Sequence, residues 1–216
     1  MDKSLKYHKA LEYEIFVKEE YGFAKEKIKE AKCVFDIWWH VWYFSEWCRK
    51  YNKTAKIYYY EPISELYEQA EERLKGDKNI FLYNVWISAK RGKWKLLYNE
   101  DKTMQSSRFS SFLNPNWEER MVNFITFSDA IKKCWCSVID LVKMDIEWME
   151  FEVLNSLTSD NRGKINNIII EVHLLNDWFE EKRKNLYGTI KGKFPLVKII
   201  PSWYTEKIFL VWAMKN

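Results

Sequence analysis

Apolar and polar positions follow one another in blocks whose period changes along the chain, and the period assigns the elements. Residues 3–31 are rich in Lys, Glu, Ala and Leu, with Leu5, Leu11, Ile15 and Phe16 as a loose apolar stripe. That pattern predicts one or two amphipathic helices that pack on a sheet or cover a site entrance. A short apolar run over 33–37 predicts a buried strand, 44–51 resume helical character, and 55–60 make a second strand closed by Glu61 and Pro62. Proline after the strand end starts a helix over Ser64–Leu74, with Gly76 as its stop signal. Residues 79–85 predict a third strand and 93–98 a fourth, of edge type. The polar stretch 99–120, carrying Ser106, Ser107, Ser110, Ser111 and Asn114-Pro115, reads as a long functional loop or lid. An extended piece over 121–127 leads into a short helix through Ile131. An apolar strand over 138–144 ends at Asp145, and a helix over 149–157 follows. The isoleucine run at 167–172 is of the kind buried on both faces. A helix over 177–186 and an antiparallel pair, 196–200 with 208–213, close the chain.

Strands alternating with helices at this spacing predict an α/β fold with a doubly wound, mostly parallel sheet and an antiparallel C-terminal strand pair. The division expected is a helical segment over 1–31 and one domain over 32–216. Ligands of such sheets sit outside the carboxyl ends of the strands. The polar residues expected there are Asp36, Glu61, Asn84, Asp145 and the Glu171/His173 pair.

Composition narrows the class. A chain of 216 residues with 47% hydrophobic and 31% charged residues is globular and long enough for a sizeable core. The net charge of +4 is interleaved along the chain, so no nucleic-acid partner is expected. The first residues lack the apolar core of a signal peptide and no run of about 18 apolar residues occurs. Hence neither a membrane span nor export is expected, and the default location is cytoplasmic. Cys33, Cys48, Cys134 and Cys136 fit neither a disulfide framework nor a paired zinc site, and no metal is expected. Cys33 and Cys48 read as small core residues, with a redox role for the Cys134/Cys136 pair as the lesser reading.

The candidate chemistry begins at Asp36, which ends the first strand, and at Glu61, which ends the second. An acid at the end of the second strand suits the two hydroxyls of a ribose; its structural alternative is a carboxylate at the helix N-terminus. An aspartate, and not a glycine, at the first strand end favours S-adenosylmethionine (SAM) over a nicotinamide dinucleotide, and a dehydrogenase reading leaves Asp36 and the acids after 144 without a role. Asp145, Glu147 and Glu150 flank the start of a helix, where the dipole favours acids even without function. Beside a methyl donor they could instead orient or deprotonate a hydroxyl. Glu171 and His173, two apart on a strand, point to one face, and His173 is either structural or a general base.

The segments VFDIWWHVWYFS, YYEP, YNVWIS, CWCSVIDLVKMDIEWMEFEVL and IIIEVH, in that order, resemble the FkbM family of SAM-dependent methyltransferases from about Val34 to His173. The family's first motif, D-x-G-x-N-x-G, corresponds to Asp36 through Trp42, its E-P to Glu61-Pro62, and its K-x-D-x-E-G-x-E block to Lys143, Asp145, Glu147, Trp148 and Glu150. The resemblance implies a class I methyltransferase fold and methyl transfer from SAM to a hydroxyl of a sugar, glycan or small natural product. It implies that Asp36, Trp38, Trp39, His40, Trp42, Glu61 and Asn84 hold the cofactor. Asp145, Glu147 and His173 would then serve catalysis, and Glu150, Glu171, Ser110 and Ser111 the acceptor.

The departures share one form. Trp38, Trp42 and Trp148 stand at family glycine positions, and Trp39, Trp86 and Trp135 where glycine is common. Trp numbers 12 and Gly 6 in the whole chain, against about 7% Gly and about 1% Trp in ordinary domains. A glycine loop allows unusual backbone angles and close approach to the ligand, and an indole adds more than about 100 Å² of surface at each place. Indoles there are expected to fill the cleft, so that the chain as written would not bind SAM. Two explanations follow: a non-catalytic relative whose Trp-filled cleft serves packing or partner binding, or a gene that uses UGA for glycine and was read with UGA as tryptophan. The repeated Gly-to-Trp exchange, with the acids spared, favours the second.

Overall fold

The computed structural model describes residues 3–38, 42–98, 118–146, 149–173, 177–201 and 208–215. The N-terminal segment is a broken helix: α1 (Lys3–Glu12), a π-turn (Tyr13–Val17), a 3-10 turn (Gly22–Ala24) and α2 (Lys25–Glu30). Then come β1 (Cys33–Trp38), α3 (Tyr43–Tyr51), β2 (Lys56–Tyr60), α4 (Ser64–Leu74), β3 (Ile80–Tyr83), β4 (Trp86–Ser88), β5 (Gly92–Tyr98) and β6 (Glu118–Thr126). The chain ends with α5 (Phe127–Lys133), β7 (Ile139–Asp145), α6 (Glu150–Ser156), α7 (Ser159–Gly163), β8 (Ile165–His173), α8 (Asp177–Lys191), β9 (Leu196–Pro201) and β10 (Ile208–Met214).

Seven strands form the central sheet in the order β3-β2-β1-β7-β8-β10-β9. The first five are parallel, and β10 runs antiparallel to both β8 and β9. The order reverses between β1 and β7, which opens a crevice at their carboxyl ends. Successive side chains sort to opposite faces. Phe35, Ile37, Tyr58, Val142, Met144, Ile168 and Ile170 pack under α5, α6 and α8. Val34, Ile57, Tyr59, Leu141, Ile169 and Leu210 pack with Leu11, Ile15, Tyr21 and Ile28 of the N-terminal segment and with Phe44 and Trp47 of α3. Of the stripe read from residues 3–31, Leu11 and Ile15 thus bury themselves on the sheet and Phe16 packs partly against it.

Three expectations change. Residues 93–98 do not edge the central sheet: β5 pairs antiparallel with β6, β4 pairs parallel with β6, and the three make a sheet of their own. The polar loop ends earlier than expected, because 118–120 already belong to β6; Ser106, Ser107, Ser110, Ser111 and Asn114 lie outside the described residues. Finally, α8 continues five residues beyond the expected end at Leu186, to Lys191. Its start at Asp177 and the bounds of α4 agree with the sequence reading. The β6-to-α5 junction shows a local cause for a helix start: Thr126 Oγ1 accepts the Asp129 N–H at 3.1 Å while Asp129 Oδ2 accepts the Thr126 N–H at 3.0 Å, a reciprocal cap.

Candidate functional site

Asp36 lies two residues before the end of β1, in register with Lys143 of β7 and Tyr59 of β2, and Trp38 closes the strand opposite Asp145. Alternation puts Asp36, Lys143 and Asp145 on the face covered by the N-terminal segment and α3. Asp36 is fully buried. Its Oδ2 accepts a hydrogen bond from Ser45 Oγ of α3 at 2.5 Å, and its Oδ1 has no partner among the described residues. Burial pushes the carboxyl up to about 6, against the opposing pull of Lys143 and Ser45.

Glu61 follows β2 directly and is 0% exposed. Its Oε1 accepts the Ile63 N–H at 2.7 Å, its Oε2 has no partner among the described residues, and burial pushes its carboxyl well above the usual range. The helix-start reading therefore accounts for one of its oxygens and leaves the other over. Asn84, expected among the cofactor contacts, is engaged structurally: Nδ2 donates to the Glu61 and Pro62 carbonyls at 2.9 and 3.1 Å, and Oδ1 accepts from Ser64 Oγ at 3.2 Å. It braces the loop that carries Glu61.

On the acceptor side, Lys143 is buried and donates to Asp145 Oδ2 at 3.3 Å, so Asp145 is held beside a positive charge at the end of β7. Glu150, expected to face the acceptor, is buried in the first turn of α6, where its Oε1 accepts the Ile146 N–H at 2.9 Å. That bond closes the turn between β7 and α6. Glu171 stands on β8 two residues past Ile169, the register partner of Lys143, and is half-buried; His173 ends β8 opposite Ile208. Trp39, His40, Glu147, Trp148, Ser110 and Ser111 fall outside the described residues.

The tryptophans differ from expectation where they can be followed. Trp42 is 8% exposed and packs against His8 and Tyr43 with ring centroids 5.9 Å away in each case. It is a core residue between α1 and α3 and not an indole standing in an open cleft. Its backbone, φ −64° and ψ 6°, is open to any residue, so bulk alone separates Trp from Gly here. Trp86, also buried, packs on Phe124 at 5.2 Å and, with Ile37, Tyr60, Pro62, Val85, Ile87 and Ile146, lines a crevice with no room for even a water-sized group. Trp135, the third glycine-like position that can be seen, is 78% exposed at the far end of the sheet.

Sequence reasoning passed over Ser45, which gives Asp36 its hydrogen bond, and gave Lys143 no role. A lysine inside an apolar strand was the visible signal for the second; a serine in the first turn of α3 gave none.

A family model described as the methyltransferase FkbM domain matches residues 34–203. Among solved structures the chain is similar to an FkbM methyltransferase from Methylobacillus flagellatus, at 11% identity and a TM-score of 0.57 over 85% of this chain and 43% of that one. It is similar to an rRNA methylase from Streptococcus thermophilus, at 9% identity and 0.53 over 89% and 94%. It is also similar to fibrillarin from Aeropyrum pernix with bound S-adenosyl-L-methionine, at 10% identity and 0.53 over 87% and 68%. No curated protein matches the chain. At these identities the structures speak for the fold, a Rossmann-like methyltransferase fold. The expectation that nucleic acid is not a partner draws no support from neighbours that include an rRNA methylase. No helix among the described residues is long and apolar enough to cross a membrane.

Proposed function

Because the chain belongs to the methyltransferase FkbM domain family and is thus a SAM-dependent methyltransferase, we propose that it methylates a hydroxyl oxygen of a sugar, glycan or small natural-product acceptor. The observation that carries the site assignment is the fully buried, unpartnered Oε2 of Glu61 one residue past β2. A carboxylate oxygen is left unbonded in a protein interior at a cost of about 1–3 kcal/mol, and a ribose hydroxyl would supply the missing donor. Asp36, with its own spare oxygen, is the second cofactor contact, Asn84 and Ser45 hold the two acids in place, and Trp38, Trp39 and His40 are assigned to the cofactor by their place in the family's first motif, whereas Trp42 packs in the core.

SAM, when bound, supplies a methyl carbon on a sulfonium, open to in-line attack by a nucleophile. The chain's part is to align the acceptor oxygen with that carbon and take up its proton. Asp145, 3.3 Å from Lys143 at the end of β7, is the first candidate for the proton, with Glu147 and His173 as the other candidates. Glu171 would face the acceptor, Ser110 and Ser111 would belong to its covering loop, and Glu150 would act by holding the β7-to-α6 turn. The protein is expected in the cytoplasm, as a helical segment over 1–31 ahead of a domain over 32–216.

A second reading, a methyltransferase-fold protein without catalysis, is favoured by the small Trp86-lined crevice and by the packed Trp42. Calorimetry with S-adenosylhomocysteine (SAH) separates the two. The chain is compared with one carrying Trp38→Gly, Trp39→Gly, Trp42→Gly, Trp86→Gly, Trp135→Gly and Trp148→Gly. Binding by the glycine form supports the enzyme, and binding by neither form removes the assignment. Codons settle the origin of the indoles: UGG at all six positions would end the recoding explanation.

A further inference from the structure

The outer edge of the central sheet carries a row of aromatic rings that neither the core nor the crevice explains. β3 is the edge strand, and its register with β2 sets Phe81 opposite Tyr58 and Tyr83 opposite Tyr60. Phe81 and Tyr83, two residues apart, share one face of the strand and pack at the margin of the core under α5. Each lies nearly parallel to the ring opposite: Phe81 on Tyr58 at 5.0 Å and 19°, Tyr83 on Tyr60 at 5.2 Å and 16°. Tyr58 and Tyr60 are buried, whereas the rings of β3, the outermost described strand on this side, stay partly exposed. Trp135 prolongs the row at the amino end of the sheet. Its ring meets Phe81 at 5.8 Å, its backbone N–H donates to Tyr58 Oη at 2.9 Å, and 78% of it is open to solvent. At the other end the Tyr83 carbonyl accepts the Glu61 N–H at 3.1 Å, so the row runs from the amino end of the sheet to the crevice.

Ammonium groups line the same row. Lys56 Nζ lies 5.6 Å from the centre of the Trp135 ring, and Lys133 Nζ 5.9 Å from that of Tyr83. Lys53 and Lys78 are exposed in the loops that lead into β2 and β3, and Lys132 in the last turn of α5. None of these lysines is in an ion pair among the described residues, while the acids on the same elements, Asp77 and Asp129, are paired with Arg49 and Arg91. Rings that stack in parallel out to a partly open edge suit a further planar ring, and ammonium groups facing no carboxylate suit phosphates. A single nucleic-acid strand offers both at every nucleotide. A duplex keeps its bases stacked inside, and a lipid headgroup brings phosphate without a planar ring. We propose that the β3 edge, through Phe81, Tyr83 and Trp135 with Lys56 and Lys133, binds single-stranded nucleic acid, a partner that the even spread of charge along the sequence conceals. Trp135 stands where the family commonly has glycine; Phe81 and Tyr83 make the platform without it, and Trp135 lengthens it.

The test uses the full chain and a fluorescein-labelled, mixed-sequence RNA of about ten nucleotides, within the usual site sizes. Anisotropy compares it with its own duplex, and co-sedimentation measures binding to phosphatidylglycerol vesicles. The single strand is expected to bind about tenfold or more tightly than the duplex, as two stacked bases allow. Raising salt from 50 to 200 mM should weaken its binding by about sevenfold to fiftyfold, the slope of two to four phosphate contacts. A Phe81→Leu, Tyr83→Leu chain, checked for folding by circular dichroism, should bind the strand about tenfold or more weakly with the same salt dependence. A Lys56→Gln, Lys133→Gln chain should instead show a flatter salt dependence, a change that a merely structural role for the rings would not produce. Trp135→Gly should keep the preference for the single strand. Equal binding of strand and duplex, binding to vesicles alone, or no binding overturns the proposal. So does full binding by the ring variant, an unchanged salt dependence in the lysine variant, or loss of the preference on Trp135→Gly.

Discussion

At the amino end of the central sheet, Asp140 of β7 accepts the N–H groups of Lys32 and Cys33 at 2.7 and 3.0 Å on one oxygen and Asn166 Nδ2 at 3.3 Å on the other. At the carboxyl end of the neighbouring strand, Asp36 leaves one oxygen buried without a partner, and Glu61, past the next strand, does the same. Asp129, away from the crevice, follows Asp140: Thr126 caps one oxygen and Arg91 pairs with both, which holds its carboxyl well below the usual range. Asp140 and Asp129, which serve the fold, have both oxygens bonded. Asp36 and Glu61 are bonded by half, which leaves each able to accept one more hydrogen bond.

That contrast is broken most severely through Asp36. Its carboxyl is raised from 3.8 to about 6 by burial, so the neutral form suits the folded protein. The stability tied to it is complete below the ordinary titration near 3.8 and is lost as pH rises through about 6. Asp36→Asn should abolish this loss and raise stability at pH 7.5 by on the order of 2–3 kcal/mol, seen as a higher urea midpoint; an unchanged pH profile would show that the burial is not felt. Asp129→Ala should act in the opposite sense, lowering stability by about 1–2 kcal/mol through loss of the cap and leaving SAH binding by the six-glycine form alone. A matching loss of binding would place Asp129 in the wrong class. Asp140→Asn, which keeps one acceptor for the two N–H groups, should cost about 1 kcal/mol; a stabilised variant would contradict the view of Asp140 as a structural acid.

Much of the fold could be read because β1, β7 and β8 are nearly continuous apolar runs and α4 is bracketed by Pro62 and Gly76. The small sheet could not: β4 is three residues long, Trp86–Ser88, too short to show a period, and the alternation of Lys93, Trp94, Lys95 and Leu96 in β5 marks a half-exposed strand without telling which sheet it joins. At the site, Asp36, Glu61 and Asp145 were legible because acids are rare at the ends of apolar strands. Asn84 and Glu150 were legible as polar residues but not as braces, since the bonds they make are to backbone groups distant or oriented by the fold. The indole at Trp42 shows a limit of another kind, because a motif position fixes where a residue stands along the chain and not the cavity its side chain enters.

The most direct test of half-bonded acids as the cofactor's contacts is thermal unfolding of the six-glycine form with and without SAH, beside the same chain carrying Glu61→Gln. Glutamine keeps the bond from the Ile63 N–H and removes the buried acid. The account predicts that SAH raises the parent's Tm, that the variant alone unfolds at a temperature equal to or above the parent's, and that SAH no longer shifts it. A variant that starts lower and still responds fully to SAH would contradict it.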